Sequence, residues 1–206
     1  MSTVKTPKKT LPAPPRRTKP TKTWFPMGKG DHERTLQQQM TGLRPLLDEL
    51  RMSKQRGRPL TVLDVACAEG LIGMEFAKAG ADWVHGFELV AERITDARRL
   101  SVGMPCSWEV ADVNTYAPVR TFDVVACLSI LHKLPDPSST LRRLVGSCCE
   151  RLVVIRLPPG GPVVIDPRSG NYPHDLDKVL RGLRFNLEQE TEGPLGEWTG
   201  YWRLKP

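Results

Sequence analysis

A chain of 206 residues, 39% of them hydrophobic, has apolar material for one core and no room for a second enzyme-sized domain. No stretch approaches the ~18 uninterrupted apolar residues of a membrane-spanning helix, and the first basic residues have no apolar segment behind them, so a soluble, cytoplasmic protein without a membrane partner is expected. The net charge of +7 does not mark the whole chain as a nucleic-acid binder, because residues 1–23 hold seven lysines and arginines and no acid, while the remainder balances.

That first segment (Lys5, Lys8, Lys9, Arg16, Arg17, Lys19, Lys22) also carries five prolines and little that is apolar. It is predicted to be a disordered, extended arm, leaving 24–206 as the folded domain. Its charge suits salt-sensitive contact with RNA, DNA or another acidic surface, and would equally serve as a solubilising tail. After it, Leu36, Met40, Leu43, Leu46, Leu47 and Leu50 follow a helical period, with Pro45 expected as an interruption. Arg51 to Pro59 reads as a polar connection.

From Leu60 onward, apolar strand-like runs alternate with helical ones. The predicted strands are Leu60–Ala66, Trp83–Leu89, Cys106–Ala111, Phe122–Ile130 and Arg151–Leu157. The helices between them are Leu71–Ala79, Ala91–Ser101 and Ser138–Cys148, the last with Asp136 as cap and Pro137 at its first position. A helix over His174–Leu183 and a hairpin of Arg184–Glu190 with Trp198–Leu204 complete the chain. The alternation predicts an α/β fold: a Rossmann-like, mainly parallel seven-stranded sheet with helices on both faces and a C-terminal antiparallel hairpin.

The densest signal is TVLDVACAEG, residues 61–70, a strand running into a turn of small residues and then a helix. Ala66, Ala68 and Gly70 let a ligand approach the backbone, and the helix start offers free amides. A dinucleotide loop would need glycines where this chain has Ala66, Ala68 and Leu71, which sets a nicotinamide enzyme behind other readings. Glu88 ends the second strand and Asp112 the third, where one carboxylate can accept both hydroxyls of a ribose and the other the exocyclic amine of an adenine. Each acid also has a plain structural use. Asp64 could bond loop amides, Glu88 could be an ordinary strand-end acid, and Asp112 could cap the next turn.

Together these residues resemble the class I S-adenosylmethionine-dependent methyltransferases over roughly Leu60 to Leu157. The resemblance implies S-adenosylmethionine as cofactor, with Asp64, Ala66 and Gly70 at its methionine end, Glu88 with the neighbouring Leu89 at the ribose, and Asp112 with Val113 at the adenine. FDVVACLSILHKLPDP resembles the family's fourth-strand motif and places Leu128 to His132 between cofactor and acceptor. The alanines at the first two glycine positions of the family pattern fit if the backbone there stays at negative φ.

His132 suits a proton-accepting role by its ordinary pKa near ~6.5, and would equally pack over the adenine or cap a turn. His32 and Arg34 precede the first strand, where such folds build a lid. The five cysteines are odd in number and irregularly spaced, with Cys67, Cys127 and Cys148 in or beside apolar runs, so they read as reduced core thiols and no metal is expected. The expected function is methyl transfer to a small-molecule or RNA acceptor. The alternative is a catalytically silent nucleoside-binding module that holds nucleic acid through its basic arm. Oligomeric state and acceptor stay open.

Overall fold

The computed structural model describes residues 36, 40–159, 176–194 and 196–206. The basic arm, His32, Arg34 and most of the turn-rich connection after the fifth strand lie outside the described residues. The chain enters through α1 (Arg44–Gln55), then β1 (Thr61–Val65), α2 (Leu71–Ala79), β2 (Trp83–Glu88), α3 (Ala91–Leu100) and β3 (Cys106–Val110). It continues through β4 (Phe122–Leu128), a 3-10 turn (Leu131–Lys133), α4 (Pro137–Cys148), β5 (Cys149–Pro159), α5 (Leu176–Gly182), β6 (Phe185–Glu192) and β7 (Glu197–Leu204).

The strands form one seven-stranded sheet in the order β3-β2-β1-β4-β5-β7-β6. The first five pair in parallel, with Val62 opposite both Val84 and Val124. β7 joins β5 antiparallel, and β6 pairs antiparallel with β7. The expected sheet and terminal hairpin are both present.

Alternation along each strand builds two cores. Val62, Val84, Val124, Leu152 and Val154 face α1, α2 and α3, where Leu46, Leu50, Phe76 and Ile94 meet them. Leu63, Val65, Val125, Cys127, Val153 and Ile155 face α4 and α5, packing on Leu141, Leu144, Val179 and Leu180. Burial of both faces explains why the central strands are apolar at successive positions rather than at every second one. Asp123, an acid at the head of β4, is used for register: its carboxylate accepts from the amide and the hydroxyl of Thr61 at 2.8 and 2.9 Å.

The expected interruption near Pro45 is present: helical backbone at Leu36, Met40 and Thr41 gives way to a turn at Gly42 and Leu43, and α1 starts afresh with Pro45 in its first turn, where the missing N–H removes no helical bond. Two other local expectations are corrected. The helix then runs through Arg51 to Gln55, which the polar composition had suggested was a connection; a solvent-facing helix end is polar too. β4 stops at Leu128 rather than Ile130, because Ser129 adopts φ 59° while its amide donates to the Arg156 carbonyl at 3.0 Å.

The order reverses direction between β1 and β4: after β1 the chain builds outward to β3, then returns to the other side of β1. Connections leave the carboxyl edge in opposite directions there, which opens a crevice at that edge. Among the described residues, no helix is long and apolar enough to cross a membrane.

Candidate active site

At the carboxyl ends of β1, β2, β3 and β4 lies a cleft of about 340 Å³. Of the positions expected to hold a cofactor, Ala66, Glu88, Leu89, Asp112, Val113 and Leu128 line it. A larger open hollow of about 870 Å³ beside α1 holds acids too, but Asp48 and Glu75 there are engaged with Arg51 and Lys78 at 2.8 and 2.6 Å.

The Glu88 carboxylate is held at both oxygens: Oε2 accepts the Ala68 amide at 3.3 Å and Oε1 the Val90 amide at 3.2 Å. Buried but for one edge, it is oriented by backbone before any ligand arrives. Arg93, on the first turn of α3, lies across it with Nη1 3.8 Å from Glu88 Oε1 and Nε 3.8 Å from Oε1 of the buried Glu69. Arg93 also lines the cleft and was not anticipated. The signal available was its place five residues after a strand-tip acid, at the third position of the following helix, which brings a side chain back over the turn.

At the next strand tip, Asp112 turns Oδ1 toward the backbone and side-chain amides of Asn114, both at 2.9 Å. The expected capping use of Asp112 is therefore real, and it occupies one oxygen; among the described residues, Oδ2 has no protein partner. Arg143 of α4 anchors the same loop, donating to the Val113 carbonyl at 2.6 Å and the Tyr116 carbonyl at 3.0 Å. Phe87, Leu89, Val113 and Leu128 make apolar walls between the two acids. A slot with a carboxylate at each of two adjacent strand tips and apolar sides suits a ligand that has vicinal hydroxyls on one part and an amine-bearing flat ring on another.

The turn after β1 departs from the expected backbone. Ala66 and Ala68 adopt φ 56° and 50°, in the left-handed region and not at negative φ. An L-residue there brings Cβ against the following carbonyl at a cost of about 1–2 kcal/mol. Four non-glycine residues among those described have positive φ, and three of them, Ala66, Ala68 and Ser129, line the cleft. Strain held by the surrounding structure at a ligand-sized crevice is a mark of a functional site.

Asp64 and Gly70 do not line the cleft. Asp64 points from β1 under α2, 3% exposed, where the Gly73 amide bonds to it. Burial pushes its carboxyl up to about 7, against the Gly73 hydrogen bond and the charge of Arg156, while Glu88 adds to the rise. Gly70 caps α2 at φ 73°, and a Cβ there would lie 2.7 Å from the Trp108 ring. Its small size makes room for an indole in the core and not for a ligand. His132 is half-buried on the 3-10 turn; its neighbours Ile130, Lys133 and Leu134 line the cleft and the imidazole does not.

The family described as "Methyltransferase domain" matches residues 62–150, from β1 to the start of β5. The chain is similar to the ubiquinone biosynthesis O-methyltransferase of Photorhabdus laumondii, 33% identical over 136 residues covering 64% of this chain and 52% of that protein. The enzyme of the same name from Serratia proteamaculans is 35% identical over 137 residues, covering 65% and 52%. The chain thus spans about half the length of the curated relatives it matches. In fold it is similar to the magnesium protoporphyrin IX methyltransferase of Synechocystis PCC 6803 crystallised with S-adenosylhomocysteine (TM-score 0.64, 18% identity, 86% of this chain and 90% of that one).

Proposed function

We propose that this chain is a class I S-adenosylmethionine-dependent methyltransferase and transfers a methyl group from S-adenosylmethionine to an oxygen of a small-molecule acceptor. The observation that carries the reading is the pair of carboxylates, Glu88 and Asp112, at adjacent strand tips on one apolar-walled cleft. The relatives named for ubiquinone biosynthesis are O-methyltransferases, which supports an oxygen on a small molecule over an RNA acceptor. No observation favours the silent binding module.

The residues present fit the cofactor. Glu88, fixed by the Ala68 and Val90 amides, would accept the ribose hydroxyls, and Leu89 would cover the same part. Asp112 would accept from the adenine amine through Oδ2, with Val113 and Leu128 against the ring. Ala66 would approach the methionine end, while Asp64 and Gly70 would act from behind, by holding the turn and the start of α2. When bound, S-adenosylmethionine supplies an activated methyl group on a sulfonium whose departure leaves a neutral thioether. The protein's share is alignment and exclusion of water, worth effective molarities of about 10⁵–10⁸ M in well-oriented cases. His132 would take the acceptor's proton if the acceptor seats over the 3-10 turn, between Ile130 and Lys133.

Incubating the purified chain and a cell extract with cofactor labelled at the methyl group, then separating small-molecule, RNA and protein fractions, tests the reading. Label is expected in the small-molecule fraction. Label confined to RNA would refute the acceptor class, and no transfer together with no calorimetric binding of S-adenosylhomocysteine would refute the enzyme. Asp112→Ala is expected to weaken that binding by about 1–3 kcal/mol through loss of a charge-assisted partner.

A further inference from the structure

Arg93 lines the cleft and stands between two buried acids beside it, Glu69 and Glu88. Its guanidinium faces Glu69, from the turn after β1, on one side and Glu88, from the tip of β2, on the other, each at 3.8 Å. Both carboxylates are nearly closed to solvent, Glu69 at 1% and Glu88 at 8%. Two buried acids with Asp64 close behind them would repel one another and push Glu88 away from its backbone donors unless a cation lay between.

We infer that Arg93 is a positioning residue for cofactor recognition: by lying between Glu69 and Glu88 it fixes the Glu88 carboxylate for the ribose and ties the β1 turn to the β2 tip. The inference rests on the cofactor reading above and adds a residue to it. Arginine is suited to the task because its planar guanidinium presents separate N–H groups, Nε and Nη1, to two different acids. A lysine ammonium at the same place would reach one acid or the other. Arg93 also rises from the first turn of α3, a rigid base two residues beyond Leu89, so its side chain moves with the β2 tip and not with solvent.

A residue that works through Glu88 must lose its effect when Glu88 no longer carries a charge, and a residue that only stabilises the fold does not. The test is calorimetric affinity for S-adenosylhomocysteine in four proteins: the parent chain, Arg93→Met, Glu88→Gln and the double variant. Arg93→Met is expected to weaken binding about tenfold in the parent background and by less than about twofold when Glu88 is already Gln. Arg93→Lys should recover part of the loss, and serves in place of Arg93→Met if that variant does not fold. Equal losses in both backgrounds, or no loss in the parent background, overturn the inference while leaving the cofactor reading intact. Failure of the parent chain to bind S-adenosylhomocysteine overturns both.

Discussion

Replacing Ala66 and Ala68 by glycine should stabilise the protein, opposite in sign to what alanine-to-glycine changes do in helices, where they cost about 1 kcal/mol. Both alanines sit at φ 50–56°, where the Cβ costs about 1–2 kcal/mol each and glycine has no such cost. Against this stands the freedom glycine adds to the unfolded chain, about 0.4–1 kcal/mol per site. The difference is a net gain of about 0–1.6 kcal/mol for each change. The two positions share one turn, so their effects are coupled and the double variant should gain about 1 kcal/mol rather than a strict sum. For a domain of this size that is a rise of roughly 2–4 °C in Tm. Urea denaturation of the parent, the two single variants and the double variant gives the midpoints and slopes that decide it. A loss of about 1 kcal/mol or more in both single variants, with unchanged slope, would show that the turn is not strained and that the methyl groups contribute packing instead.

The buried carboxyl of Asp64 makes stability depend on pH. Its pKa rises from 3.8 to about 7 on folding, so the folded chain keeps a proton that the unfolded chain releases. Its contribution is therefore complete below roughly pH 4 and is lost as pH climbs to about 7, at most about 4 kcal/mol. Asp64→Asn should flatten that slope between roughly pH 4 and pH 7, and parallel denaturation midpoints for the two proteins across that range would refute it. Gly86→Ala should destabilise by about 1–3 kcal/mol, since its Cβ would meet the Trp108 ring at 2.4 Å and the Cys67 Cβ at 2.9 Å. An unchanged Tm in a thermal melt would show that Trp108 can move aside.

The sheet was legible because its central strands are buried on both faces and read as continuous apolar runs, with helices of 3.6-residue period between them. Strand tips follow from that pattern, and with them the placing of Glu88 as the last residue of β2 and of Asp112 two residues beyond the end of β3. Arg93 was not legible in the same way. A cation on the polar first turn of an exposed helix looks like any other, and only the tertiary approach of Glu69, 24 positions earlier in the chain, gives it two partners. Pro45 was legible for a simpler reason: a proline inside an apolar helical period marks a break followed by a new start, and the turn at Gly42 and Leu43 before α1 is that break.

The alanine turn shows where composition stops being informative. Of the small residues expected to leave room after β1, Ala66 and Ala68 line the cleft and Gly70 does not. The backbone angle does not follow from size, because φ is set by what the turn must join. The Cys67 amide donates to the Phe87 carbonyl at 3.0 Å and the Ala68 amide to Glu88 at 3.3 Å, so both halves of the turn are tied to β2. Between those tethers the chain takes positive φ at Ala66 and Ala68 but not at Cys67 or Glu69. Glycine would take these angles at less cost, and alanine takes them only because the β2 tip holds it there. The left-handed alanines, Glu88 and the cation beside it therefore form one mechanical unit, and loosening the β2 tip should disturb the turn and the proposed cofactor contact of Glu88 together.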